Sequence, residues 1–145
     1  MDAGSGPGRD SKIFTELGYK VTAFDASEEM VLLAKKYSNV EVLNLKFSEM
    51  TYFEKFDGVW ACASLLHLSF KDLLIALEKL SKALKPNGIL YCSFKYGEGE
   101  CQLEDRLFTY MNEETFSRIM EKTPLKILKI WITEDLRPEK KRKNG

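Results

Sequence analysis

Cysteine and histidine are scarce in this sequence. The 145 residues include three cysteines, Cys62, Cys92 and Cys101, and a single histidine, His67. None of the cysteines forms a Cys-x-x-Cys pair, so the pattern predicts neither a zinc site nor a disulfide framework. Free thiols are typical of a reducing compartment. We therefore expect no bound metal and a cytoplasmic protein.

Long apolar runs are absent as well. No stretch approaches the ~20 apolar residues that a membrane-spanning helix needs. The N-terminal residues also lack a charged segment followed by an apolar one, which is the pattern of a secretory signal. We expect a protein without a membrane partner.

An excess of either charge is missing too. The 22 basic and 22 acidic residues balance, which argues against nucleic acid as the main partner. The balance hides an asymmetry, because residues 137–145 carry five basic and one acidic side chain and the other 136 carry 17 and 21. We predict one domain over residues 1–136, followed by a basic, disordered tail over 137–145.

Helical and strand patterns alternate along the chain. Ser27 and Asn112 are predicted N-caps, and residues 95–104 are polar and predicted to form a loop. The predicted helices cover 9–17, 28–37, 70–84 and 113–121, and the predicted strands cover 19–24, 40–43, 56–63, 89–94 and 125–132. This alternation predicts an α/β fold with a mostly parallel sheet flanked by helices.

The glycine loop (residues 4–8) is the most distinctive stretch. Gly4, Gly6 and Gly8 lie between a short strand and a predicted helix, where backbone amides can contact a polar ligand. Asp25, 19 residues after Gly6, ends the next strand and could accept hydrogen bonds from a ribose diol. The two features together predict an adenosine-type cofactor. A dinucleotide fingerprint would need a third glycine where Arg9 stands.

The pattern Asp2-x-Gly4-x-Gly6-x-Gly8 resembles motif I of class I S-adenosylmethionine-dependent methyltransferases. Three further segments, 21–27, 56–67 and 84–90, resemble later motifs of that family in the right order. The Gly-Arg-Asp after motif I is similar to the small-molecule branch that includes tellurite-resistance and thiopurine methyltransferases. The resemblance implies a Rossmann-like doubly wound fold that uses S-adenosylmethionine and releases S-adenosylhomocysteine.

The resemblance also implies roles for individual residues. One group would face the methionine and ribose parts of the cofactor, a second would face its adenine, and a third would face a small-molecule acceptor. The first group is Asp2, Gly4, Ser5, Gly6, Asp25 and Ala61, and the second is Ala26, Met30, Lys46 and Phe47. The implied acceptor residues are Ser64, His67 and Tyr96. His67 is also the candidate catalytic base, needed only if the acceptor is protonated at neutral pH. Core packing is an equal alternative for Met30, and a structural role is an alternative for His67.

Two departures from the family pattern leave other functions open. Only three residues precede Gly4, and only one final strand, 125–132, is predicted, so the first and last strands of the sheet are expected to be incomplete. This apparent truncation at both ends favours, as an alternative, a non-catalytic cofactor-binding domain. A nicotinamide-dependent oxidoreductase is less favoured because of Arg9. A monomer or a homodimer is expected, the latter because short exposed strand edges can pair.

Overall fold

A five-stranded parallel sheet forms the centre of the protein, for which a computed structural model describes residues 1–134. The strand order is β3-β2-β1-β4-β5, and every neighbouring pair is parallel. The strands are β1 (Asp2–Ala3), β2 (Thr22–Asp25), β3 (Glu41–Asn44), β4 (Phe56–Ala61) and β5 (Leu84–Cys92). The predicted fold class, a mostly parallel sheet flanked by helices, is confirmed.

Strand β1 has two residues but lies in the middle of the sheet. Asp2 pairs with Ala23 on one side and with Trp60 on the other. Since β1 lies between the two halves of the sheet, the loop that follows it reaches the carboxyl ends of both neighbours. Ligands of open parallel sheets bind at this edge.

Residues 1–134 contain four α-helices, three of which lie between strands while the fourth follows the last strand. They are α1 (Arg9–Glu16), α2 (Glu28–Ser38), α3 (Phe70–Ala83) and α4 (Glu113–Glu121), and short 3₁₀ turns cover Phe47–Glu49 and Leu65–His67. Both predicted caps are confirmed, since the Ser27 side chain accepts a hydrogen bond from Met30 N and the Asn112 side chain accepts one from Thr115 N. These bonds satisfy amides that would otherwise lack a partner at the helix start.

Neighbouring residues of β4 show that the helices cover both faces of the sheet. Val59 lies in a buried cluster with Leu73 and Leu77 of α3. Trp60 contacts Phe14 of α1 instead, with ring centroids 5.3 Å apart. Because successive strand residues point to opposite faces, α1 and α3 lie on opposite sides, as a doubly wound fold requires.

Residues 95–104 are not simply a loop, as the polar composition predicted. They include β6 (Glu100–Leu103), which pairs antiparallel with β7 (Arg106–Thr109) as a separate two-stranded hairpin. Polar side chains hid this strand, since Glu100, Gln102 and Arg106 remain exposed although the hairpin contacts the rest of the protein.

The predicted strand over residues 125–132 is wrong. The segment has no ladder hydrogen bonds and meets β5 through side chains, for example Trp131 against Tyr91 at 5.9 Å between ring centroids. A cavity of about 880 Å³ lies between the two. High β-propensity does not make a strand without a hydrogen-bonded neighbour. The predicted tail, 137–145, lies outside the described residues.

Two absences hold for residues 1–134. None of the helices in this part is both long and apolar enough to cross a membrane. The same residues contain no group of three or more His, Cys, Asp or Glu side chains that could hold a metal ion.

Candidate functional site

The first residues of the glycine loop are hydrogen-bonded to β2. Gly4 N and Ser5 N both donate to the carbonyl oxygen of Phe24, at 2.9 Å each. Gly4, Gly6 and Gly8 have φ values of 76°, 55° and 90°, a backbone region that side chains disfavour. The repeated glycines therefore meet a conformational need of this turn.

Close packing adds a second need for glycine at two of these positions. A Cβ on Gly4 would lie 2.4 Å from Ser64 Cβ, and one on Gly8 would lie 2.9 Å from Ala34 Cα. A Cβ on Gly6 would meet nothing within 4 Å. The loop is thus packed at one end against Ser64, which follows β4, and at the other against α2, and it is open at Gly6, where a ligand can approach the backbone.

Asp25 joins the glycine loop to the end of β2. Its Oδ2 accepts from Gly6 N at 2.9 Å, and its Oδ1 accepts from Ser27 N, also at 2.9 Å. The carboxylate is only half-buried. Each oxygen has a second lone pair, so the group can still accept two hydrogen bonds from a ligand.

Asn44, at the end of β3, was not predicted as a site residue. Its Nδ2 donates to the carbonyl oxygens of Asp25 and Ala26, at 3.1 Å each. The side chain therefore fixes the backbone that carries the Asp25 carboxylate. In the sequence, the only indication of this role is an amide side chain at the end of a predicted strand. The role can be recognised only when the pairing of β3 with β2 is known.

Asp2 lies beneath the loop and not at its surface. The side chain is buried, and its Oδ2 accepts from Ser11 Oγ in α1 at 2.6 Å. Burial, opposed by the Ser11 hydrogen bond, raises the pKa of Asp2 from 3.8 to about 6. The Asp2 carboxyl group thus links β1 to α1, and its side chain does not face the open part of the loop at Gly6.

Four residues predicted near an adenine lie on the β2 and β3 ends. Ala26 follows Asp25, and Met30 lies half-buried in the first turn of α2. Phe47 packs edge-on against Phe24, with ring centroids 5.1 Å apart. Lys46 precedes it and closes the turn by donating its N–H to Glu49 Oε1 at 2.9 Å. These two ends are held together, because Leu45 N donates to Asp25 O at 3.0 Å.

Ala61 and Ser64 form the β4 side of the site. Ala61 is fully buried, and its carbonyl oxygen accepts from Ser93 N at 3.3 Å. Ser64 Oγ donates to Ala3 O at 2.8 Å, directly before the glycine loop. Ser64 therefore contacts the loop itself, a contact that sequence reasoning did not anticipate.

His67 lies three residues further on, in the 3₁₀ turn before α3. Its Nδ1 is 3.1 Å from the carbonyl oxygen of Leu107 in β7, and its ring packs edge-on against Phe108 at 4.9 Å. The side chain is half-buried. The hairpin that the sequence did not predict is thus the element that holds the only histidine.

Tyr96 lies apart from the other predicted residues. It is 61% exposed, and its hydroxyl group donates to Glu113 Oε1 at 3.3 Å. The negative charge of Glu113 raises the pKa of this hydroxyl group. Within residues 1–134, the recorded side-chain hydrogen bonds of Ser64, His67 and Tyr96 do not join Tyr96 to the other two.

These features form a polar edge with a defined chemistry. The open backbone at Gly6 and the free lone pairs of Asp25 can bind a ligand with hydroxyl groups, and Phe47 adds an aromatic ring nearby. Imidazole is the side chain that most often serves as a general base, and His67 is the single histidine of the sequence.

Known sequences match the region that carries this edge. The sequence model of a family described as "Methyltransferase domain" matches residues 1–92. YqeM of Bacillus subtilis (strain 168), a protein named as a methyltransferase, is 34% identical over 109 residues, which are 68% of this chain and 44% of YqeM. The demethylmenaquinone methyltransferase of Chlorobaculum tepidum is 32% identical over 93 residues, 63% of this chain and 38% of that protein. The chain thus spans less than half the length of these two curated relatives.

Solved structures match more of the chain. The Burkholderia thailandensis 1,6-didemethyltoxoflavin-N1-methyltransferase, with bound 1,6-didemethyltoxoflavin and S-adenosylhomocysteine, is 27% identical with a TM-score of 0.70, covering 83% of this chain and 56% of that one. The [4+2]-cyclase SpnF, 21% identical, has a TM-score of 0.66 over 83% of this chain and 49% of its own. At that identity SpnF shows a shared fold alone.

Proposed function

We propose that this chain, which belongs to the methyltransferase domain family, binds S-adenosylmethionine and transfers its methyl group to a small-molecule acceptor. The observation that carries the proposal is the 2.9 Å hydrogen bond from Gly6 N to Asp25 Oδ2. This bond joins the open part of the glycine loop to an acid 19 residues away in the chain. A single site that binds a ribose and its neighbouring groups needs these two segments to be adjacent.

The residues around this bond fit the cofactor. Asp25 has two free acceptor positions for the two ribose hydroxyl groups. Gly4, Ser5 and Gly6 would lie against the methionine part, and the open space at Gly6 supports a close approach. Asp2 would act indirectly, because its buried carboxyl group holds the first turn of α1 behind the loop.

The remaining cofactor residues have matching positions. Ala26 and Met30 would flank one face of the adenine, and Lys46 with Phe47 would cover the other. The hydrogen bond from Leu45 N to Asp25 O keeps these two strand ends together. Ala61 would offer the second lone pair of its carbonyl oxygen to the methionine part, since Ser93 N uses only one.

Positioning supplies most of the rate in this reaction. S-adenosylmethionine brings a methyl group that is already activated by its sulfonium, so the protein mainly needs to align the acceptor. Ser64, His67 and Tyr96 are the proposed acceptor residues. Of these, His67 can take a proton from the acceptor, and Ser64 links its turn to the glycine loop.

The cofactor part of the proposal is tested by calorimetric titration. We expect S-adenosylmethionine and S-adenosylhomocysteine to bind and NADH not to bind. Asp25→Ala should weaken S-adenosylhomocysteine binding by roughly 10-fold or more, because about two charge-assisted hydrogen bonds are lost. Asp57→Ala is the matched control, since Asp57 is exposed on β4. Equal affinity of wild type and Asp25→Ala would disprove the site assignment.

Transfer itself needs a separate assay. Release of S-adenosylhomocysteine should be measured with 1,6-didemethyltoxoflavin and demethylmenaquinone as the first acceptors. Both compounds appear in the names of methyltransferases that this chain resembles. Binding without turnover across a broad acceptor panel would favour the non-catalytic alternative. The fold alone does not decide between these outcomes, because the [4+2]-cyclase SpnF has the same fold under a different name.

Other predictions about the whole protein are also proposals. A cytoplasmic location is tested by cell fractionation, and a monomeric or dimeric state by analytical ultracentrifugation. The domain boundary at residue 136 is tested by limited proteolysis, which should release residues 137–145 first.

A further inference from the structure

The β6–β7 hairpin depends on its anchors to the rest of the protein. It is a separate two-stranded sheet with a short turn between Leu103 and Arg106. An isolated hairpin of this size is marginally stable in water at best. Contacts with the body of the protein must therefore supply much of its stability.

The anchors converge on one short segment, residues 67–70, which joins β4 to α3. Glu100 Oε1 accepts from Phe70 N at 2.8 Å, and Thr109 Oγ1 donates to Leu68 O at 2.5 Å. Between these two lies the contact of His67 Nδ1 with Leu107 O at 3.1 Å. The two flanking bonds, one from each strand of the hairpin, hold it so that the Leu107 carbonyl faces the imidazole.

The chemistry of this contact determines where the histidine proton lies. A carbonyl oxygen only accepts hydrogen bonds, so Nδ1 must carry the proton. In the neutral ring, Nε2 then has the lone pair and can accept a proton. Phe108 packs edge-on at 4.9 Å and restricts rotation of the ring. The geometry therefore favours one tautomer in one orientation.

The turn that carries His67 also contacts the proposed cofactor site. Ser64, the residue before this 3₁₀ turn, donates to Ala3 O at 2.8 Å. Gly4 lies so close that a Cβ there would be 2.4 Å from Ser64 Cβ. Residues 64–67 thus connect the glycine loop on one side to the hairpin on the other.

We propose that the β6–β7 hairpin is a positioning element that fixes His67 as the Nδ1–H tautomer through the Leu107 carbonyl, with Glu100 and Thr109 as the positioning residues. The hairpin leaves Nε2 as the atom that receives the acceptor's proton. This inference rests on the proposed function for its purpose, but the tautomer itself does not depend on the cofactor.

The test uses the fact that His67 is the only histidine in the chain. Protein labelled with ¹⁵N-histidine gives one imidazole, whose nitrogen shifts and one-bond couplings show directly which nitrogen carries the proton. At a pH where the spectrum shows a neutral ring, we expect the proton on Nδ1. A proton mainly on Nε2 in the wild type would overturn the proposal.

Variants separate positioning from folding. Thr109→Val removes the donor at nearly constant shape, and Glu100→Ala removes the acceptor. Each should shift the tautomer ratio toward Nε2–H by roughly 2- to 10-fold, the factor typical of one lost hydrogen bond. Glu100→Gln keeps an Oε1 acceptor and should restore the wild-type ratio. Thr51→Val, at an exposed position, is the matched control.

Two outcomes distinguish this proposal from the proposed function. An unchanged ratio in a folded Glu100→Ala/Thr109→Val double variant would overturn the role of the hairpin. Titration with S-adenosylhomocysteine on the same samples should give equal affinities, because the hairpin lies outside the cofactor residues. Failure of the wild type to bind S-adenosylhomocysteine would overturn the proposed function while the Nδ1–H result still supports the hairpin.

Discussion

Backbone strain and close packing coincide at Gly4, and the contact that a Cβ would make there is shorter than the one at Gly8. The φ of 76° at Gly4 disfavours any side chain, and a Cβ would lie 2.4 Å from Ser64 Cβ. We expect Gly4→Ala to lower the free energy of unfolding by about 2–5 kcal/mol, from roughly 1–2 kcal/mol of backbone strain plus about 1–3 kcal/mol of overpacking. Urea denaturation monitored by circular dichroism measures this change.

Gly18 provides the matched control for this substitution. Its φ of 96° is also positive, but a Cβ there would meet nothing within 4 Å. Gly18→Ala should therefore cost only the backbone strain, about 1–2 kcal/mol, and should leave S-adenosylhomocysteine binding intact. Equal losses of stability in the two variants would mean that the contact with Ser64 has no energetic weight.

The buried Asp2 carboxyl group, which links β1 to α1, should make the free energy of unfolding depend on pH. Asp2 has a pKa of about 6 in the folded protein against an ordinary value of 3.8. A raised carboxyl pKa means that the folded state holds the proton more tightly. Its stabilising contribution is therefore full below about pH 4 and is lost as the pH rises through 6, a difference of about 3 kcal/mol.

Asp2→Asn isolates this contribution, because the amide oxygen can still accept from Ser11 Oγ. We expect the free energy of unfolding of the wild type, relative to that of the variant, to fall between pH 4 and 7. Urea denaturation at several pH values measures both curves. Parallel curves would contradict the elevated pKa of Asp2.

Helix α3 should contribute much of the stability of the larger core cluster. Leu77 is fully buried there, whereas Ile75 on the same helix is 38% exposed. Leu77→Ala should cost about 2–5 kcal/mol because it leaves a cavity. Ile75→Ala should cost clearly less, and a similar loss in both variants would contradict the described orientation of α3.

The helices were predictable because their signals are local. Ser27 and Asn112 cap the helices that follow them, and the apolar spacing of α3 is visible within one segment. The glycine pattern and Asp25 also indicated the site, since both ends of the Gly6–Asp25 contact have recognisable residue types. The roles of these residues toward a cofactor remain predictions.

Contacts between distant segments were not predictable in the same way. Asn44 gains its role only when β3 lies beside β2, and Leu107 acts through a carbonyl group that every residue has. The hairpin was missed because its anchors lie 30 to 41 residues away in the chain, on residues 67–70. Residues 125–132 were wrongly predicted as a strand. Their high β-propensity does not show whether a neighbouring strand is available for hydrogen bonding.

The proposed cofactor would bind where the parts of the molecule meet. The glycine loop contacts β2 through Phe24, the segment after β4 through Ser64 and α2 through Ala34. A ligand on this loop should therefore stabilise the whole fold against unfolding. S-adenosylhomocysteine at 100 times its Kd should add about 2.7 kcal/mol, which corresponds to a rise in Tm of roughly 5–10 °C for a domain of this size.

The comparison that matters is the ligand-induced rise in Tm, because Asp25→Ala also removes the acceptor of Gly6 N and can lower Tm by itself. At equal ligand concentrations, we expect Asp25→Ala to lose most of the rise and Asp57→Ala to keep it. Differential scanning calorimetry with and without S-adenosylhomocysteine gives both values for each protein. A full rise in Asp25→Ala would show that the ligand stabilises the fold from somewhere other than the edge formed by Gly6 and Asp25.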